Sequence, residues 1–373
     1  MAAAVRVLVA DDSATVRLML RRVLEADPGI TVVGVAANGR EAVREAARLK
    51  PDLVTMDVEM PVMDGITAIE QIMAYTPVPI LVVSSVVSKA GSANVARALG
   101  AGAVDVICKP AAGSVEEFDA AAASIRNKVK QLSRVQVITH PRASLTRRPG
   151  EPLPVPGSVR VKLVAIGSST GGPQALQMIL ASLPPELPAG IVAVQHIAEG
   201  FTDGLVEWLN GSCRLKVKKG ENGDSIRPGE VIIAPDSIHM TVTIEQRIAL
   251  VDKDAPGPHK PSADVLMESV ARAYGRGALG LILTGMGNDG ARGMRAIFES
   301  GGHTLAQDEQ TSVIFGMAKE AIKLGVVEEV VPLPEIGSAI CGYFFQGGKD
   351  SFPPLSGGEI MSPPPFGIGS EGG

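Results

Sequence analysis

Two doubly wound α/β domains in series are what this 373-residue sequence predicts. Short apolar runs rich in β-branched residues alternate with amphipathic stretches, as in strand-helix-strand units. A break rich in proline, glycine and arginine separates two such series. Hydrophobic residues make up 45% of the chain, enough over this length for two substantial cores.

In the first series the runs are VRVLVA (5–10), TVVGVA (31–36), LVTMD (53–57), PILVVSS (79–85) and AVDVICK (103–109). They are mostly continuous rather than alternating, which suits parallel strands covered on both faces. After the first, Val16, Met19, Leu20, Val23 and Leu24 share one helical face, with Ser13 placed as an N-cap. The stretch THPRASLTRRPGEPLPVPGSVR (139–160) can continue neither helix nor central strand and reads as linker. The second series comprises VKLVAIG (161–167), IVAVQH (191–196), EVIIAP (230–235), ALGLILTG (278–285) and VVEEVVPL (326–333). Residues 240–252, MTVTIEQRIALVD, read as a hairpin, so the second sheet is expected to be mainly parallel with a mixed part. The boundaries expected are a first domain at 1–125, a linker at 126–159 and a second domain at 160–345. The remainder, 346–373, is too rich in Gly, Pro and Ser to pack and reads as a disordered tail.

Composition excludes several classes. Lys+Arg total 35 against Asp+Glu 40, a net charge of −5, and no basic block announces nucleic-acid binding. The start, MAAAVRVLVADDSA, lacks a cleavable signal pattern, and no apolar run approaches the ~20 residues that cross a bilayer. Cys108, Cys213 and Cys341 are widely spaced, which fits buried thiols in a reducing compartment. A cytoplasmic monomer without membrane insertion is expected.

Acidic residues end two strands of the first series: Asp11 and Asp12 after the first, Asp57 after the third. Ser84 follows the fourth, and Lys109 with Pro110 the fifth. In an open parallel sheet these ends share one crevice. The three carboxylates make an oxygen site suited to Mg²⁺, while the hydroxyl and ammonium suit phosphoryl transfer onto a carboxylate. Any one aspartate alone reads as a solvated loop residue; the set does not. Through ADDSATVR, MDVEMPVMDG, VVSS and CKP, residues 5–125 resemble the receiver domain of bacterial response regulators, a flavodoxin-like (βα)5 fold. The resemblance implies that Asp57 accepts phosphate, that Asp12 binds Mg²⁺ with Asp11 assisting, and that Ser84 and Lys109 act as switch residues. Val106 departs from it, standing where many receivers carry an aromatic switch residue.

The second series carries VAIGSSTGGPQAL (164–176), an apolar strand turning into a helix. GSSTGG lacks both the glycine spacing of a dinucleotide loop and the Gly-Lys-Ser/Thr ending of a P-loop, which argues against a phosphate cradle. A strand-to-helix turn does present a serine beside backbone N–H groups able to hold an oxyanion. The alternative is helix capping by Ser168, Ser169 or Thr170. Of five histidines, His196 ends the neighbouring strand, whereas His140 lies in the linker and His239, His259 and His303 lie elsewhere. Asp289 follows another strand in ILTGMGNDGARGM and could orient an imidazole or simply cap a helix. Residue types and placement together favour a Ser169, His196, Asp289 triad.

These residues sit within AIGSSTGGP, VQHIAEGFT, IAPDSIHM, HKPSADVLMESVA, LTGMGNDGARGM and AQDEQTSVIFGMAKEAI, over about 160–325. That set resembles the protein-glutamate methylesterases of bacterial chemotaxis, the CheB family. The resemblance implies a phosphorylation-activated serine hydrolase that demethylates glutamate methyl esters on chemotaxis receptors and deamidates receptor glutamines. It implies Ser169 as nucleophile, His196 as base and Asp289 as orienting acid. Backbone N–H groups of Thr170 and Met286 would line an oxyanion hole. A chemotaxis histidine kinase would supply the phosphate, and the ester chemistry would need no cofactor. Ala198, Glu199 and Ala318 depart from the family where proline is frequent. Two rivals remain on residues alone: a receiver fused to a non-catalytic interaction module, and a nucleotide-binding or redox enzyme.

Overall fold

The computed structural model describes residues 3–85, 89–110, 114–135, 161–252 and 259–344. His140, the proline-rich stretch 139–160 and the tail 346–373 lie outside these. The first domain runs β1 (Val5–Ala10), α1 (Ala14–Glu25), β2 (Ile30–Ala36), α2 (Gly39–Leu49), β3 (Leu53–Met56), α3 (Gly65–Tyr75), β4 (Ile80–Ser84), α4 (Lys89–Gly100), β5 (Asp105–Cys108) and α5 (Val115–Leu132). Its sheet is wholly parallel, in the order β2-β1-β3-β4-β5. The order reverses at β1 and β3, so the crevice opens where Asp11, Asp12 and Asp57 emerge. Ser13 caps α1 through Val16 N–H, as expected. Helix α5 passes the expected boundary at residue 125, because Ile125, Val129 and Leu132 continue one buried stripe.

The second domain runs β6 (Leu163–Ser168), α6 (Gly172–Ser182), β7 (Gly190–Gln195), α7 (Thr202–Ser212), β8 (Lys216–Lys219), β9 (Glu230–Ile233), β10 (His239–Val242) and β11 (Ile248–Val251). It continues with α8 (Ala263–Tyr274), β12 (Ala278–Ile282), α9 (Ala291–Glu299), β13 (His303–Gln307), α10 (Met317–Lys323), β14 (Glu329–Val331) and α11 (Leu333–Gly342). Seven strands form a sheet ordered β14-β13-β12-β6-β7-β9-β8, every pair parallel. The mixed sheet expected from the hairpin does not form among the described residues: β10 and β11 pair with each other, antiparallel, as a separate two-stranded sheet. Apolar clusters cover both faces of the seven-stranded sheet. Its order reverses at β6, which lies between β12 and β7, so Ser169, His196 and Asp289 leave three adjacent strands at one edge. Among the described residues no helix is long and apolar enough to cross a membrane.

The domains touch through α4 and α7. Gly204 N–H donates to Ser92 Oγ at 2.8 Å, and Gln174 Nε2 donates to Leu99 and Ala103 carbonyls. Phe201, 1% exposed, and its neighbours Ile197 and Ala198 pack into the receiver-side core beside Leu99 and Val106. Burying an aromatic ring of this size contributes on the order of 2–3 kcal/mol. A Cβ at Gly204 would lie 2.1 Å from the Ser92 carbonyl oxygen, so the close approach requires glycine there. Gly204→Ala should favour α7 locally by about 1 kcal/mol, yet overpack the contact at a cost of about 1–3 kcal/mol. Hydrogen exchange should therefore quicken in α4 and around residue 204 while β6 and β7 keep their protection.

Candidate active site

In the first domain Lys109 Nζ lies 2.7 Å from Asp57 Oδ2, to which it donates, and 2.7 Å from Asp11 Oδ2, an ion pair without hydrogen-bond alignment. Val58 N–H donates to Asp57 Oδ1 and Ser13 N–H to Asp11 Oδ1. Burial raises the Asp57 carboxyl above its ordinary value, against the opposing hydrogen bond and charge of Lys109. Burial also works against the charged form of Lys109, but its pairing with the Asp11 and Asp57 carboxylates holds its pKa above the usual value. Oxygens of Asp11, Asp12 and Asp57 lie within 4.8 Å of one another. Three carboxylates against one ammonium, with a buried Asp11 oxygen lacking a hydrogen bond, fit a divalent cation. Ser84 is buried at the end of β4, its carbonyl accepting from Lys109 N–H, and Val106 lies in the core between the sheet and α4.

In the second domain the turn after β6 is not capped as the alternative reading supposed. The N-cap of α6 is Gly171, at φ 78°, and makes no side-chain cap bond. Ser168 Oγ instead donates to Gln195 Oε1 at 2.7 Å, and Thr170 Oγ1 donates to Asp105 Oδ2 at 2.8 Å, across to the first domain. Ser169 is left half-buried at the turn, its N–H donating to the Thr284 carbonyl. Gln195 then ties the strand ends together, Nε2 donating to the carbonyls of Ser169 (2.7 Å) and His196 (2.8 Å). The N–H groups of Thr170 and Met286 make no hydrogen bond among the described residues.

His196 Nε2 is 2.8 Å from Asp289 Oδ2. The carboxylate also accepts from Ser262 Oγ (2.7 Å), Ala263 N–H (2.7 Å) and Asp264 N–H (3.0 Å), the first amides of α8. Asp289 therefore caps a helix, but α8 rather than the one following it. Burial alone would raise its pKa; the bond and charge of His196, then Ser262 and Asp264, outweigh burial and hold it far below the ordinary value. An ionised acceptor requires Nε2 to carry a proton, so in the neutral tautomer of the ring Nδ1 is the lone-pair nitrogen. Nδ1 is buried and has no hydrogen-bond partner among the described residues, Ser169 included. Ser169 is the next residue to Ser168, whose carbonyl accepts from His196 N–H at 2.9 Å.

The sequence reading missed Gln195, Ser262 and His259. Ser262 was legible in principle, because a serine before an amphipathic run is an N-cap signature. It does cap α8 through Val265 N–H. His259 stacks on His196, ring centroids 4.2 Å apart and planes within 13°. Gln195 carries no such local signal.

Residues 164–340 match the CheB methylesterase family and residues 7–118 the response regulator receiver domain family. The chain is 46% identical over 336 residues to protein-glutamate methylesterase/protein-glutamine glutaminase 2 of Anaeromyxobacter dehalogenans, covering 90% of this chain and 96% of that protein. It belongs to the protein-glutamate methylesterase/protein-glutamine glutaminase family. Enzyme 4 of that name from Myxococcus xanthus is 43% identical over 345 residues, 91% of this chain and 97% of that protein. The Thermotoga maritima CheB methylesterase catalytic domain, a crystal structure, is 38% identical with a TM-score of 0.48, covering 49% of this chain and 98% of that one.

In this methylesterase-family chain the Asp289 carboxylate is expected to matter for folding as well as for the site. Its folded pKa is depressed, so its contribution is full above the ordinary 3.8 and is lost as pH falls through the folded value. Asp289→Asn should cost about 1–3 kcal/mol at pH 7. Urea unfolding should show that deficit narrowing below about pH 4.

Proposed function

We propose that this chain is a phosphorylation-regulated serine hydrolase, removing methyl groups from glutamate γ-methyl esters of chemotaxis receptors and deamidating receptor glutamines. The observation that carries the reading is the buried Nδ1 of His196, without a hydrogen-bond partner among the described residues, on a ring whose other nitrogen is held by ionised Asp289 and whose backbone N–H bonds the carbonyl of Ser168, next to Ser169. Ser169 Oγ attacks the ester carbonyl carbon while its proton passes to His196 Nδ1. The developing oxyanion turns toward the N–H groups of Thr170 and Met286, which make no hydrogen bond among the described residues. On collapse the C–O bond to the methyl-bearing oxygen breaks, and that oxygen takes the proton from Nδ1 and leaves as methanol. Water then gives a proton to Nδ1 and attacks the acyl carbon. Ser169 Oγ leaves with that proton, freeing glutamate. A glutamine amide follows the same course, with ammonia leaving. Asp289 stays ionised throughout and stabilises the imidazolium.

Asp57 is the phosphate acceptor in this reading, with Ser84 and Lys109 reorganising around the new group. Asp11, Asp12 and Asp57 would hold Mg²⁺, which offsets phosphate charge when bound. A kinase of the same pathway is the donor. The contacts of Thr170 with Asp105, of Gln174 with Leu99 and Ala103, and of α4 with α7 support regulation by docking, with the unphosphorylated receiver packed beside the Ser169 turn. The interaction-module rival accounts for Asp289 as the cap of α8 but not for the buried Nδ1 of His196, which has no hydrogen-bond partner among the described residues.

Ser169→Ala should lower demethylation of methylated receptor by about 10⁴- to 10⁶-fold, as for serine hydrolases stripped of their nucleophile, and should abolish labelling by a fluorophosphonate. Asp57 should still be phosphorylated in that variant. Asp57→Asn should lose the rise that a small phosphodonor produces in the parent, a factor expected within about 5- to 150-fold. Turnover assays with and without the phosphodonor check both.

A further inference from the structure

Among the described residues His196 is hydrogen-bonded through one ring nitrogen: Nε2 bonds Asp289, and buried Nδ1 has no hydrogen-bond partner to fix the ring about that bond. Torsion about the bond to an imidazole is broad, so a single hydrogen bond leaves the ring plane poorly defined. One face of the largely buried ring lies against the face of His259, 4.2 Å away by centroids and within 13° of parallel. The segment carrying that ring also carries Ser262, Ala263 and Asp264, which hold the Asp289 carboxylate. One stretch of chain thus sets both the acid that grips the imidazole and the surface against which the imidazole lies.

We infer that His259 is a positioning residue: its ring is a flat stop against one face of His196 that limits the planes the imidazole can take, favouring those in which Nδ1 can receive the Ser169 proton. It touches neither ester nor leaving group, and the inference rests on the Ser169, His196, Asp289 reading. Burial, then the neighbouring His196, lowers the pKa of His259 against the pull of Asp289, keeping it neutral. A neutral π face beside the transient imidazolium is favourable, whereas a second cation there would oppose its formation.

The test uses the full chain, phosphorylated on Asp57, with methylated receptor as substrate. His259→Ala should lower kcat by about 10-fold or more, since small misplacements of reacting groups cost up to about 10²-fold, while KM stays within about twofold. His259→Phe restores a flat face without a titrating nitrogen and should bring kcat back to within about threefold of the parent. His259→Leu keeps much of the volume without a planar face and should behave like His259→Ala, which covers the case of an alanine variant that fails to fold. Fluorophosphonate labelling of Ser169 should slow and recover in step with kcat. An unchanged kcat in the leucine and alanine variants overturns the inference. So does a phenylalanine variant as slow as leucine, or a rise in KM at constant kcat, which would mark a substrate contact. Normal turnover by Ser169→Ala would instead overturn the triad reading itself, a separate result.

Discussion

A buried carboxylate at the start of a helix organises the catalytic half of this protein. Removing a carboxylate from water costs several kcal/mol unless its oxygens are satisfied. Asp289 meets that requirement with the Ser262 hydroxyl, the first amides of α8 and His196. The helix N-terminus favours the ionised form, and the ionised form in turn dictates which imidazole nitrogen carries the proton. Ser262 is itself held, its N–H donating to Nδ1 of buried His239 at 3.2 Å. Arg292 pairs with Asp264, binding α8 to α9, the helix that follows Asp289. The small hairpin of β10 and β11 thereby supports the site from outside the main sheet.

The other side of the site is held by neutral amides and hydroxyls. Gln195 receives the Ser168 hydroxyl and donates to the carbonyls of Ser169 and His196. Thr284 Oγ1 donates to the Thr170 carbonyl at 2.9 Å, and Gln307 Oε1 accepts from Thr284 N–H. With their neighbours committed in this way, the amides of Thr170 and Met286 make no hydrogen bond among the described residues. Buried polar groups so fully paired rigidify their surroundings, which is what a site relying on orientation requires.

The same turn meets the receiver. Asp105, the first residue of β5, accepts from Thr170 Oγ1 and pairs with Lys128 of α5. Lys109, which bridges Asp11 and Asp57, follows the end of that strand. The serine turn and the acidic crevice are thus joined through one short strand, with α4 packed on α7 beside it. On the far side of the receiver sheet, Val313 and Ile314 lie against the cluster that includes Leu81 and Val83.

Much of the architecture was written in local pattern. Continuous β-branched runs marked the central strands, because a parallel strand buried on both faces admits little else. Strand-end placement of Asp11, Asp12, Asp57, Lys109, Ser169, His196 and Asp289 was legible for the same reason: a parallel sheet gathers its carboxyl ends at one edge. Strands β8, KVKK, and β13, HTLAQ, escaped notice. The first is an edge strand whose lysines pair with Glu230, Asp224 and Asp203 instead of filling a core, and the second carries buried Thr304 and Gln307. The sequence by itself thus determined two sheets and the residue types at their edges. Tertiary structure alone decided that Asp289 caps α8, that Gln195 joins two strand ends, that His259 lies on His196 and that Thr170 reaches Asp105. Those contacts pair groups far apart in the chain, and hydrogen bonding and stacking act on distance and direction in space, which no local spacing encodes.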